Sequence, residues 1–192
     1  MNKPTRVLIA ACAASLGAAV HAQSLQHELS HHAAQQSRMA ADEAHGRIAP
    51  SRQAALHEQA ATVELAEADA LAGGPEVEAV KRLARAEHDL DRAIAHAEQP
   101  SHRQHPSAAL DGMHERVAAA REAQQQHWIA QEFRHGTLDG QQVARLERAQ
   151  ADIVQQQAAL LRRGGETVDE ALRMQHQQDV QDWQIRSARS QA

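Results

Sequence analysis

Residues 80–97 read VKRLARAEHDLDRAIAHA. Val80, Leu83, Ala86, Leu90, Ile94 and Ala97 recur at intervals of 3, 3, 4, 4 and 3 residues, with charged residues between them. That period places one apolar stripe along an α-helix. A strict heptad would put Glu87 into the stripe, so a coiled-coil reading is open but not clean. No segment of the chain alternates with period two over β-branched residues. The expected fold is therefore all-α, built from antiparallel helical hairpins or a bundle, and partly coiled-coil-like.

Working back from this helix, Gly73-Gly74 is a stop signal and Pro75 suits a helix start. Before it, Leu56, Ala60, Val63, Ala66 and Ala70 follow one face, with Glu67 beside it and Ser51 as the expected N-cap. Residues 24–45 carry Leu25, Leu29, His32, Gln36 and Met39 at helical spacing, a weakly apolar face. Working forward, Pro100 and Pro106 bound a polar connector. Ser107 is the expected cap of a fourth helix that reaches about Arg134 despite Gly112. Its apolar face is read as Leu110, Met113, Val117, Ala120 and Trp128, interrupted by Gln124, with Phe133 off it. Two more helices are expected over about 140–163 and 168–189.

The first residues carry Lys3 and Arg6, then an uncharged run VLIAACAASLGAAV, then Val20-His21-Ala22. A basic start, a short apolar core and small residues at −3 and −1 predict a cleavable signal peptide over 1–22, and hence a periplasmic or secreted protein. The apolar run falls short of the ~20 residues of a membrane span. The competing reading is a lipobox ending at Cys12, which would lipidate that residue. The expected organisation is a signal peptide at 1–22, a helical region at 23–106 with a His-rich start, and a helical region at 107–192.

Cys12 is the sole cysteine, so a chain cut after Ala22 can form no disulfide and must stand on packing. Without Lys3 and Arg6, 18 basic residues face 25 acidic ones, a net of −7 with His neutral. That argues against nucleic acid, or an anionic membrane after signal cleavage, as the partner. Aromatic residues make up only 2% of the chain, with no Tyr, so a base-stacking or sugar-stacking platform is not expected.

Two helix-to-helix joints are alike. Residues 133–142 read FRHGTLDGQQ and residues 161–170 read LRRGGETVDE. In each, Gly follows an apolar residue and two basic-type residues. A capping residue comes three positions later (Asp139, Thr167), and Gln142 or Glu170 three further on. Gly ends one helix and a capping box opens the next. At an offset of 90, Met39, Gly46, Ile48, Leu56, Val63, Leu71 and Gly74 fall on Ile129, Gly136, Leu138, Leu146, Ile153, Leu161 and Gly164. The second helical region thus reads as a duplicate of the first.

Over about 125–186 the chain resembles an uncharacterised family of small exported helical proteins of proteobacteria with paired G-x-L-T-x-x-E units. Residues 39–74 give a fainter echo. The matching residues are Ile129, Gly136, Leu138, Leu146, Gln150 and Ile153, then Gly164, Thr167, Glu170, Gln178 and Ile185. Glu132, Asp139, Gln142, Arg163 and Glu166 depart from the pattern. The resemblance implies helices and export and supplies no mechanism.

His27-Glu28-Leu29-Ser30-His31 is an H-E-x-x-H, the spacing with which a helix grips zinc and presents a general base. It lies five residues into the expected mature chain, and Ala34 stands where a metzincin has Gly, so a zinc peptidase is a remote alternative. His27, His31 and His32 form the candidate metal site, for Zn, Ni or Cu, with His102 and His105 a second cluster. His57, His88 and His114 read as general polar composition. The joints lack the oxygen ligands of a calcium loop. Asp89 and Asp91 stand two apart and read as solvated charges. Trp128 and Trp183 read as core. No catalytic residues and no resident cofactor are expected. The leading expectation is a non-catalytic structural or interaction protein that binds a partner, or itself, through helix faces. The alternative is a His-rich divalent-metal binder.

Overall fold

The computed structural model describes residues 5–73, 76–98, 113–164 and 167–190. The expected cap at Ser107, the connector at 99–106 with His102 and His105, Leu110, Gly112, Gly74 and Pro75 lie outside the described residues. Among the described residues six helices follow in order: α1 Thr5–Ala44, α2 Pro50–Ala72, α3 Val77–Ala97, α4 Met113–Arg134, α5 Gly140–Arg162 and α6 Val168–Arg189. Among the described residues there is no strand, and no helix is long and apolar enough to cross a membrane.

The local signals that end and start helices work as chemistry requires. Gly46 and Gly136 adopt φ of 65° and 74°, a left-handed turn open to Gly without penalty. After α1, Gly46 N–H donates to Glu43 O at 3.0 Å and Arg47 N–H to Asp42 O at 2.8 Å. After α4, Gly136 N–H donates to Phe133 O and Thr137 N–H to Glu132 O, both at 3.0 Å. These are Schellman closures, and they recur at an offset of 90. Both capping boxes form: Asp139 accepts from Gln142 N–H at 2.7 Å and Thr167 from Glu170 N–H at 3.3 Å. The start of α2 differs from expectation. Ala49 is the N-cap and Pro50 occupies the first turn, because proline's fixed φ and missing N–H suit that position better than a following serine.

The bundle is assembled across the two halves of the chain more than along it. α2 packs most extensively on α5, and α1 on α4, whereas the sequential pairs α1–α2 and α4–α5 touch little. The α2–α5 contact is lined by alanines: Ala60, Ala61, Ala68, Ala144, Ala151 and Ala158 are fully buried. Their short side chains let the two backbones approach closely. The pair is antiparallel, with Glu58 ion-paired to Arg162 at one end and Gln141 donating to Ala72 O at 3.2 Å near the other. α1 and α4 are also antiparallel: Arg134 donates to Ser30 at 2.7 Å, and Ala40 packs with Ala119 and Ala123. α3 lies against α2 and α1, and α6 against α5 and α4.

The outer helices repeat the same attachments. Gln35 of α1 donates to Glu87 O of α3 at 3.1 Å, and Gln125 of α4 donates to Gln178 O of α6 at 3.2 Å. His31 meets Asp91 at 3.2 Å, and Arg121 meets Asp182 at 3.0 Å. The offset is 90 on the inner helices and 91 on the outer ones.

On α3, Leu83, Leu90, Ile94 and Ala97 are buried as expected, and Glu87 is buried with them. The reading of α4 is corrected. Val117 is 64% exposed and Ala120 faces solvent, while Ala119, Glu122, Gln125, Gln126 and Ile129 face inward. An apolar-only pattern picks the wrong face where polar residues are the buried ones. Trp128 packs against the core, but Trp183 is 66% exposed.

Candidate functional site

The interior of this bundle is polar. Eight acidic side chains (Asp42, Glu43, Glu64, Glu67, Glu87, Glu122, Glu132 and Glu147) are buried, and among the described residues no Lys or Arg is. Asp42 and Glu132, 90 apart, lie near the surface and reach Arg47 at 2.6 Å and Arg189 at 3.2 Å. The deeper groups cannot use such partners.

At the centre six side chains close a ring across four helices. His32 Nδ1 lies 2.8 Å from Glu67 Oε2. Glu147 of the facing helix lies beside Glu67, close enough for each carboxyl to act on the other. Gln126 Nε2 donates to Glu147 Oε2 at 2.7 Å and to Glu64 Oε1 at 3.3 Å. Gln36 Nε2 donates to the same Glu64 oxygen at 3.4 Å and to His32 Nε2 at 3.3 Å. His32 and Gln36 come from α1, Glu64 and Glu67 from α2, Gln126 from α4 and Glu147 from α5. Every member is at most 2% exposed. Glu64 Oε2 is buried and meets no hydrogen-bond donor.

The amide of Gln36 donates to His32 Nε2, so the imidazole carries its proton on Nδ1 and donates it to Glu67. Burial pushes the His32 pKa down to about 4, against the pull of Glu147. Burial also pushes Glu64, Glu67 and Glu147 well above the usual carboxylate range, and for Glu64 and Glu147 the neighbouring carboxylates add to the rise.

A second, smaller group lies beside the ring. His57 of α2 sits 3.2 Å from Glu43 of α1 and 3.7 Å from Glu122 of α4. Gln178 of α6 donates to Glu122 at 3.4 Å. Burial raises the Glu122 pKa to about 7, with His57 opposing. The 90-residue offset relates the two groups: His32 corresponds to Glu122 and His57 to Glu147. The first half contributes both imidazoles, from α1 and α2, and the second half contributes a carboxyl at each corresponding position, on α4 and α5.

The three histidines of the sequence-predicted metal site do not converge. His27 faces solvent. His31 is half-exposed and turns to Asp91 and Gln35. His32, one residue on, points into the core. Successive residues on a helix diverge by about 100°, which is enough to send one ring to solvent and the next inside. Glu28, which follows His27, lies beside buried Glu87 of α3. Among the described residues no three His, Cys, Asp or Glu side chains are arranged to hold a metal ion. A shallow groove of ≈ 380 Å³ lies elsewhere, between the end of α5 and the start of α6, where Arg163 pairs with Glu170 at 2.7 Å.

The pattern reading caught His32, Gln36 and Glu67 on their buried faces. It missed Glu64, Glu122, Gln126 and Glu147, and it took His57 as general polar composition. The offset of 90 would have found part of them, since it places Gln126 under Gln36 and Glu122 under His32.

No protein-family model matches the chain, and neither does any curated protein or solved structure.

Proposed function

We propose that the protein is an exported, non-catalytic helical protein that acts through its helix faces, and that the face in use is the outer side of α6, paired with a second copy of the chain. The reading of residues 1–22 as a signal peptide supports export to the periplasm or beyond. The observation that carries the interaction reading is the exposure of Val168 (77%), Leu172 (59%), Val180 (40%) and Trp183 (66%) on one helix. At 100° per residue these four side chains fall within about a third of the helix circumference.

Two features favour pairing with a copy of itself. At the corresponding positions of α3, 91 residues earlier, stand Val77, Lys81, Asp89 and Arg92. The shared three-helix layout therefore does not require the apolar stripe. The stripe is also self-complementary in spacing. About a centre near residue 176, an antiparallel copy sets Leu172 opposite Val180 and Val168 opposite Trp183, as a two-fold interface requires. The divalent-metal reading has less to rest on, because His27, His31 and His32 face three different surroundings.

Light scattering of the chain over a range of concentrations tests this. The expected result is a dimer that becomes a monomer in Leu172→Glu/Trp183→Ser, with an unchanged helical spectrum because both residues are exposed. A wild-type monomer at all concentrations contradicts the self-pairing. Crosslinks from position 183 in the cell to one other protein would then replace the second copy by that partner.

A further inference from the structure

We propose that the ring of His32, Gln36, Glu64, Glu67, Gln126 and Glu147 is a proton-held lock: α1, α2, α4 and α5 close on each other with these carboxyl groups protonated, and the bundle takes up protons from water as it folds.

The geometry leaves few alternatives. Three carboxyl groups meet in a space that excludes solvent, and no Lys or Arg is buried among the described residues. The amide of Gln36 keeps His32 Nε2 as an acceptor, so the imidazole is neutral and cancels no negative charge. An ionised carboxylate without a counter-charge is costly in a dry interior and takes a proton instead. Glu67 and Glu147 lie beside each other and are wholly buried, and two neighbouring carboxylates cannot both stay ionised there without a counter-charge.

The groups that face the ring from neighbouring elements do not relieve it. Glu28 of α1 adds negative charge beside Glu67, and Glu87 of α3 stands close to both. Glu122 of α4 adds negative charge towards Glu64. His57 of α2 is engaged between Glu43 and Glu122. From α6 the polar group presented to this region is the amide of Gln178, which faces Glu122. Loss of a proton from the ring therefore leaves a bare carboxylate among four helices. The contacts of α1 and α4 with α2 and α5 then have to loosen to admit water.

The test is chemical denaturation of the whole chain between about pH 5 and pH 8.5, for wild type and for Glu64→Gln and Glu147→Gln, which keep the shape but carry no ionisable proton. The expected result is a wild-type midpoint that falls as pH rises, and a flatter dependence in each variant, with a higher midpoint than wild type at the alkaline end. Infrared spectroscopy of the wild type gives a second readout that survives failure of a variant to fold. The carbonyl stretch of protonated carboxyl groups should persist in the folded protein at about pH 7.5. A pH-indifferent wild-type midpoint, absence of that carbonyl band, or one tightly held divalent metal per chain whose removal unfolds the protein would each overturn the proposal.

Discussion

Gln36 and Gln126, ninety residues apart in the chain, donate to the same oxygen, Oε1 of Glu64, at 3.4 and 3.3 Å. The two glutamines occupy corresponding positions on α1 and α4, so Glu64 stands where the two halves of the bundle meet. Such a meeting point is normally apolar, because packing tolerates no unpaired group there. Here amides satisfy one carboxyl oxygen twice and leave the other to a proton. The polar ring thereby ties together the helix pairs that carry most of the contact between the halves.

The pH dependence of stability follows with two opposed signs. Folded His32 titrates near 4 against 6.5 for an unperturbed histidine. Its contribution is complete above the unfolded value and is lost as pH falls through the range between the two. Glu122, raised to about 7, and Glu64, Glu67 and Glu147, raised by burial well above the usual carboxylate range, act in the opposite sense. They favour folding below the ordinary carboxylate value, and that advantage is lost as pH rises towards their folded values. Each proton held by one state alone gives a slope of about 1.4 kcal/mol per pH unit. Four carboxyls outweigh one imidazole, so the urea midpoint should peak in mild acid and decline through pH 7. A midpoint that climbs steadily from pH 5 to pH 8 would contradict this.

Replacing Leu90 by Asp should cost about 2–5 kcal/mol, because it removes a wholly buried side chain and places a charge on the inner face of α3. The same change at Val117 of α4, which is 64% exposed, should stay within about 0.5 kcal/mol. Thermal melts of the two variants give the comparison. Equal losses would mean that the buried face of α3 or the outer face of α4 is misassigned.

The helices and their ends were legible in the sequence because each rests on local chemistry: a 3.6-residue stripe on α3, glycines at 46, 136 and 164, and capping boxes at Asp139 and Thr167. The pairing of helices was legible only in part: α3 does lie on its chain neighbour α2, and α6 on α5. Short connections suggested neighbours along the chain, whereas the alanine faces of α2 and α5 bring together residues far apart in sequence. The polar ring was legible only in part. His32 and Gln36 lie on a face that Leu25, Leu29 and Met39 mark as buried. On α4 the inward positions are themselves Glu and Gln, so hydropathy points to Val117 and Ala120, which face solvent. Trp183 escaped for the converse reason, since an apolar residue is assigned to a core unless something says otherwise.

Zinc, nickel or copper added to the protein should bind His27 and His31 only weakly, at ~micromolar or higher concentration, since two imidazoles one turn apart supply two ligands and His32 cannot join them. His31 must also leave Asp91 to do so. Calorimetric titration should show this binding lost in His27→Ala/His31→Ala and weakened as pH drops through the histidine range. Tight stoichiometric binding that survives the double substitution would place the metal elsewhere.

The export reading predicts a mature N-terminus at Gln23 and recovery of the protein by osmotic shock. Intact-mass measurement decides it. A chain that retains Met1, or carries lipid on Cys12, would contradict cleavage after Ala22.

A pH-stat can count the protons that the folded bundle holds and the unfolded chain gives up. Unfolding the wild-type protein with urea in unbuffered solution at about pH 7 should release more than one proton per chain, from Glu64, Glu67 and Glu147. No release, or net uptake, would mean that these carboxyl groups are already ionised inside the fold, and the ring would not be the proton-held contact described above.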